Sequence, residues 1–190
     1  MHLPATQQTK NGIKVELDYM HPQEQEVVRA LLNLVILEGK TYPQKQPLSP
    51  AEFAAYWLNQ DAFVVRAVEP GTTHKPKDIL GAFYLKPNFP GRCSHICNAG
   101  FIVQPEARGQ GIGRLMGESM LAMSGDKAQN AYAAQLGYEA VMFNLVFETN
   151  IPSINLWQTL GFERIGRIPQ AAKLADGQAV GALMMYRTLS

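Results

Sequence analysis

The sequence predicts an α/β fold, a mixed sheet of about seven strands flanked by helices. Three observations carry this expectation. Apolar runs of strand length alternate with segments of helical period along the chain. Gly and Pro punctuate most of the boundaries between them. One junction, from Ala99 to Leu121, reads as strand, glycine-rich turn and helix start in direct succession.

Taken in order, Gly12 to Tyr19 alternates apolar and polar residues with period two, a first strand after a polar lead-in. Pro22 suits the start of a helix whose apolar face holds Val27, Leu31, Leu34 and Val35 and which stops at Gly39. Lys40 to Leu48 is a Pro-punctuated loop rich in hydrogen-bonding side chains. Ser49 caps a second helix, with Pro50 at its first position and Glu52 completing a capping box; Phe53, Tyr56 and Trp57 lie within it. Ala62 to Val68 and Ile79 to Leu85 are strands joined by a polar turn, Glu69 to Asp78. Asn88 to Arg92 is a further turn, and a central strand runs from about Ser94 to Val103. The helix after the glycine-rich turn fades near Ser124 to Asp126, and a second helical piece, Lys127 to Leu136, ends at Gly137. Ala140 to Phe147 is a strong strand, and Asn150 caps a short helix, Ile151 to Leu160, that stops at Gly161. Phe162 to Ile168 and Val180 to Thr188 close the sheet, with Ala171 to Gln178 as the loop between them. No repeat, low-complexity tract or linker divides the chain, so residues 1–190 are expected to form a single domain.

Composition narrows the function classes. A length of 190 residues with 46% hydrophobic content suffices for a core. A net charge of +1 and a charged fraction of 17% argue against a nucleic-acid footprint. No apolar run approaches the ~18 residues of a membrane span, and the first residues lack the basic start and apolar block of a signal peptide. Cys93 and Cys97 are too few for a disulfide framework, and with His2, His21, His74 and His95 scattered they fit no zinc pattern. Reduced thiols in the cytoplasm, and no metal, are the expectation.

The chemistry concentrates at Gln104 to Arg114. A strand, Ala99 to Val103, leads into Arg108-Gly109-Gln110-Gly111-Ile112-Gly113-Arg114, and a helix follows. That layout aims free backbone N–H groups at a phosphate. The glycines allow close approach and positive φ, and the two flanking arginines offer charge-assisted contacts. A P-loop needs Gly-Lys-Ser/Thr and the turn holds no Lys; the dinucleotide fingerprint needs Gly where Arg114 stands.

The remaining pattern, Gln/Arg-x-x-Gly-x-Gly/Ala, resembles the acyl-CoA pyrophosphate loop of the GNAT superfamily of N-acetyltransferases, and the element order fits that fold along essentially the whole chain. The resemblance implies acetyl-CoA as co-substrate and a small-molecule amine as acceptor, with a homodimer as a family-level expectation. It implies that the strands carrying Asn98 and Asn144 run parallel and splay to admit the pantetheine arm. Backbone amides of Phe101, Ile102 and Val103 would hold the thioester and pantetheine, and those of Gly109, Gln110, Gly111, Ile112, Gly113 and Arg114 the pyrophosphate. The helical piece ending at Leu136 departs from the family layout.

Two further departures bear on chemistry. Trp157 stands where the family often has a Tyr as acid for the leaving thiolate, and an indole N–H is no useful acid at neutral pH. A carboxylate base common on the central strand is replaced by Asn98. An Asn within a strand is uncommon unless its amide is paired, so Asn98 and Asn144 are candidate site residues; Asn150 is equally a helix cap. Around them, Glu38 to Gln44, Asn98 to Val103 and Phe143 to Asn150 resemble the fungal-type acetyltransferases of proline analogues such as azetidine-2-carboxylate. That resemblance implies Asn144 on the substrate carboxylate, Asn98 positioning the amine or a water, Asn150 by the thioester, and the loop carrying Lys40 and Tyr42 over the substrate. Glu148 is read as solvated, His95 as a surface or strand histidine, Cys97 as a buried small hydrophobe, and Tyr84 and Trp57 as core or pocket wall. Two other readings stay open: an acetyltransferase for protein N-termini or lysines, favoured by an open groove beside Lys40 to Gln44, and a CoA-binding sensor without catalysis.

Overall fold

The computed structural model describes residues 3–59, 61–68, 79–124 and 137–189. Its elements run β1 (Ala5–Gln8), β2 (Lys14–Tyr19), α1 (Gln25–Glu38), α2 (Pro50–Trp57), β3 (Asp61–Ala67), β4 (Ile79–Pro87), β5 (Ile96–Val103), α3 (Ile112–Ser124), β6 (Ala140–Phe147), α4 (Ile151–Thr159), β7 (Glu163–Lys173) and β8 (Ala179–Thr188). The expected mixed sheet is present with eight strands, ordered β1-β2-β3-β4-β5-β6-β8-β7. The eighth is β1, which lies in the polar lead-in: Ala-Thr-Gln-Gln has no apolar alternation to announce it, and pairing with β2 makes it a strand. The expected turn at Glu69 to Asp78 and the helical piece Lys127 to Leu136 lie outside the described residues.

Alternation along the strands divides the core between two faces. Phe63, Val65, Phe83 and Leu85 pack with Ile112, Met116 and Met120 of α3 and Trp157 of α4. Val64, Ala82, Tyr84 and Ile102 face the other way, against Val28, Leu32, Val35 and Ile36 of α1 and Phe53 and Trp57 of α2. The buried stripe of α1 differs from the expected one: Val28, Leu32, Val35 and Ile36 are buried, while Leu34 is 46% exposed. Apolar residues cover more than half of this helix's circumference, with Glu26, Arg29 and Asn33 on the remaining side, so more than one face satisfies the same period. Its end is as expected, Gly39 at φ 63°. The Ser49–Glu52 capping box of α2 is also formed.

Every neighbouring pair of strands is antiparallel except β5 and β6. Those two run parallel and pair only at Ile96–Ala140 and Cys97–Val141. Beyond that point they diverge, and β6 carries an irregularity in its pairing with β8 between Phe143 and Val146. The β7–β8 hairpin is longer than expected, its strands reaching Lys173 and Ala179.

Candidate active site

The divergence of β5 from β6 opens a cleft of about 1230 Å³. Which groups β5 offers to it follows from ladder phase. The amide of Asn88 donates to the Ile96 carbonyl (2.8 Å) and that of Gln104 to the Leu80 carbonyl (2.9 Å). Even-numbered residues of β5 therefore bond β4, and odd-numbered ones turn their backbone groups toward β6. Once β6 has splayed away, the amides of Phe101 and Val103 face the gap, whereas that of Ile102 is committed to β4. The Phe101 carbonyl accepts from the Tyr42 hydroxyl at 3.2 Å, which ties the loop after α1 to β5. Burial pushes the Tyr42 phenol well above its ordinary range, with Tyr56 and Tyr84 adding to the effect, so it keeps its proton.

At one end of the cleft lies the glycine turn. Gly109 (φ 75°) and Gly111 (φ 87°) take the left-handed conformation. Gly111 also packs against the β1–β2 turn, where a Cβ would lie 3.3 Å from the Thr9 Cβ. Helix α3 begins at Ile112, and its first amides have no intrahelical acceptor. Among the described residues no hydrogen bond takes the amides of Gly109, Gly111 or Gly113. Arg108, Gly109 and Gly113 line the cleft. The side chains around the turn make contacts within the chain. Arg108 reaches Glu38 at 2.8 Å. Arg114 turns to Glu118 (3.2 Å), one helical turn on, and to Thr159 of α4 (2.8 Å). Gln110 donates to the Glu106 carbonyl at 2.6 Å, and the Ile112 side chain is core. The Gln110 amide donates to the Ala107 carbonyl at 3.4 Å, so at these positions the backbone amides of Ile112 and Arg114 join those of the three glycines at the helix start.

At the other end are three amides. Asn98 of β5 and Asn144 of β6, brought together by the splay, are bridged by Asn88. The Asn88 Oδ1 accepts from Asn144 (2.6 Å) and from Asn98 (3.2 Å), and its own Nδ2 donates to the Asn144 Oδ1 (2.9 Å). Sequence reasoning placed Asn88 in the turn after β4, where it lies, but did not name it as a site residue, and no local pattern marks it as one. Asn150 caps α4, accepting from the Ser153 amide at 3.3 Å, and also lines the cleft. Lys40 and Tyr42 line it too.

Trp157 is buried, its ring 4.5 Å from that of Phe143 and 4.9 Å from that of Phe101. Cys97 is fully buried and its thiol is pushed up to about 12 by burial, which makes it inert. His95 is exposed. Glu148 is not simply solvated: Arg167 grips it at 2.6 and 2.9 Å and holds its carboxyl below the ordinary range. Sequence reasoning also missed the tip of the β7–β8 hairpin. Leu174, Ala175, Asp176 and Gln178 line the cleft, and the Ala175 amide donates to the Gly39 carbonyl at 3.1 Å, bridging it.

A sheet that opens between two parallel strands beside an uncapped helix start is the architecture of an N-acyltransferase. Comparison with known proteins agrees. Residues 31–162 match the model of the acetyltransferase (GNAT) family, and the chain belongs to that family. The N-acetyltransferase aca1 of Schizosaccharomyces pombe is 39% identical over 166 residues, covering 82% of this chain and 75% of that protein. A GCN5-related N-acetyltransferase from Kribbella flavida superposes with a TM-score of 0.78 at 26% identity, over 92% of this chain and 98% of that one. A phosphinothricin acetyltransferase from Sinorhizobium meliloti in complex with AcCoA superposes at 0.75 with 18% identity, over 93% and 89%, a likeness of fold.

Proposed function

We propose that this chain transfers the acetyl group of acetyl-CoA to the amine of a small amino acid or a proline-like secondary amine. The observation that carries the reading is the amide cluster of Asn88, Asn98 and Asn144 at the splay, within a cleft bridged by the Ala175–Gly39 contact. A bridged cleft suits a small acceptor better than a protein segment laid across the surface. The unpartnered amides at Gly109, Gly111 and Gly113 fit a pyrophosphate, and the gap at Phe101 and Val103 fits the pantetheine arm.

The neutral amine attacks the thioester carbonyl; the C–N bond forms as the C–S bond breaks, and the electron pair leaves on sulfur. Amides of Phe101 or Val103 are placed for the oxyanion. Asn98 orients the amine or a water that takes its proton, since an amide accepts a hydrogen bond but not a proton at neutral pH. The thiolate leaves without a tyrosine, a modest demand for a thiol whose pKa is about 8.5. Asn144 binds the substrate carboxylate, and Asn150, which lines the cleft, sits by the thioester.

The test is CoA-thiol release by the wild-type chain with azetidine-2-carboxylate, proline, polyamines and peptides, repeated for Asn98→Ala and Asn144→Ala. Turnover with the small amino acids and its loss in both variants, by about tenfold or more, is expected. Unchanged turnover in the variants would reject their roles, and binding of acetyl-CoA with no thiol release from any amine would leave a sensor instead.

A further inference from the structure

Lys86 is half-buried in the cleft, and no part of the reaction outlined above uses it. Strand alternation sets Tyr84 and Lys86 along one face of β4, the Asn88–Ile96 hydrogen bond continues that ladder just past the strand's end, and Lys86 is the cross-strand partner of Asn98. Its Nζ lies 4.9 Å from the centre of the Tyr56 ring and 4.8 Å from that of Tyr84. Two aromatic faces at that range favour the ammonium form, against burial, which lowers the Lys86 pKa. A positive charge taken partly out of water calls for an anion. Among the described residues none is within ion-pairing distance of Nζ. Of the acids lining the cleft, Glu38 is 2.8 Å from Arg108, and Asp176 accepts from the Gln178 amide at 2.9 Å.

We propose that the missing anion is the carboxylate of the acceptor, so that Lys86 selects amino acids over plain amines through an ion pair formed only when the substrate binds. The inference rests on the acetyl-transfer reading and deepens it. Asn88, two residues along the same face and bonded to Asn144, brings the amide expected on that carboxylate to the same strand face as the ammonium. The charge supplies attraction and the amides supply direction. In the ammonium form that the two ring faces favour, Lys86 carries no lone pair, which separates this role from that of a general base.

The experiment pairs each small amino acid of a panel, azetidine-2-carboxylate and proline included, with its carboxamide. Thiol-release kinetics are measured for the wild type, Lys86→Met and Lys86→Arg, with acetyl-CoA titrated calorimetrically into all three. The wild type is expected to prefer the acids. Lys86→Met should lose about 30-fold in kcat/KM on acids, chiefly through KM, and little on carboxamides. Lys86→Arg should retain the preference, and acetyl-CoA affinity should not move. Equal losses on acid and carboxamide, or an intact acid preference in Lys86→Met, would overturn the role of Lys86 and leave acetyl transfer standing. No heat with acetyl-CoA, or no thiol release from any amine, would overturn the acetyl-transfer reading itself.

Discussion

Two cations withdrawn from water stand on opposite terms with their surroundings. Arg66, on β3, is 1% exposed and fully engaged within the chain. It grips Glu24 at 2.6 and 2.9 Å, reaches Glu16 at 3.0 Å and Asp18 at 3.3 Å, and donates to the Tyr19 carbonyl at 3.2 Å. Lys86 has ring faces and, among the described residues, no acid within ion-pairing distance. A buried charge whose partners are all supplied by the fold fixes the fold, here the start of α1 against the edge of the sheet. A charge that lacks its partner in a cleft is left for a ligand to complete. The difference separates a structural ion from a functional one without reference to residue type.

Breaking the first arrangement should have the largest effect. Arg66→Met strands three carboxylates and should lower unfolding free energy by about 3–5 kcal/mol in denaturant titration; a loss below ~1 kcal/mol would show that water reaches the cluster. The same site governs acid stability. Burial alone would raise the Glu24 carboxyl, but the Arg66 and His21 hydrogen bonds and charges hold it below its ordinary value of 4.5. Its contribution is therefore complete above pH 4.5 and is lost as pH falls through the lower, folded-state value, so Glu24→Gln should flatten the stability–pH curve in that acid window.

A smaller effect is expected at Gly100, where a Cβ would lie 2.5 Å from the Tyr84 ring. Gly100→Ala should lose about 1–3 kcal/mol of stability and, by shifting Tyr84 from Lys86, weaken the acid-over-carboxamide preference; a preference that survives would detach the ring from the selectivity. The smallest stability effect belongs to Lys86→Met, within about 1 kcal/mol of wild type by thermal melting. A loss as large as that of Arg66→Met would erase the contrast between the two cations.

Much of the fold was legible where partners are close in sequence. The Ser49–Glu52 box, the stop at Gly39 and the glycine turn before α3 each depend on residues within about one helical turn, and all three are present. The buried face of α1 was not, because a helix apolar over more than half its circumference leaves its exact orientation to whatever packs on it. Asn98 and Asn144 were found as site candidates because an amide in an apolar strand conflicts with its surroundings. Asn88 and Lys86 raised no such conflict, since polar residues near a strand end are ordinary.

What local chemistry settled, then, is the succession of strands and helices and the cluster of uncapped amides at Gly109, Gly111 and Gly113. The pairs that give the site its character lie far apart along the chain. Asn88 and Asn144 are separated by 56 positions, Tyr42 and Phe101 by 59, and Arg66 and Glu24 by 42. Such meetings follow from strand order, register and the divergence of β5 from β6, because backbone pairing across the sheet, not local preference, decides which distant side chains share a face.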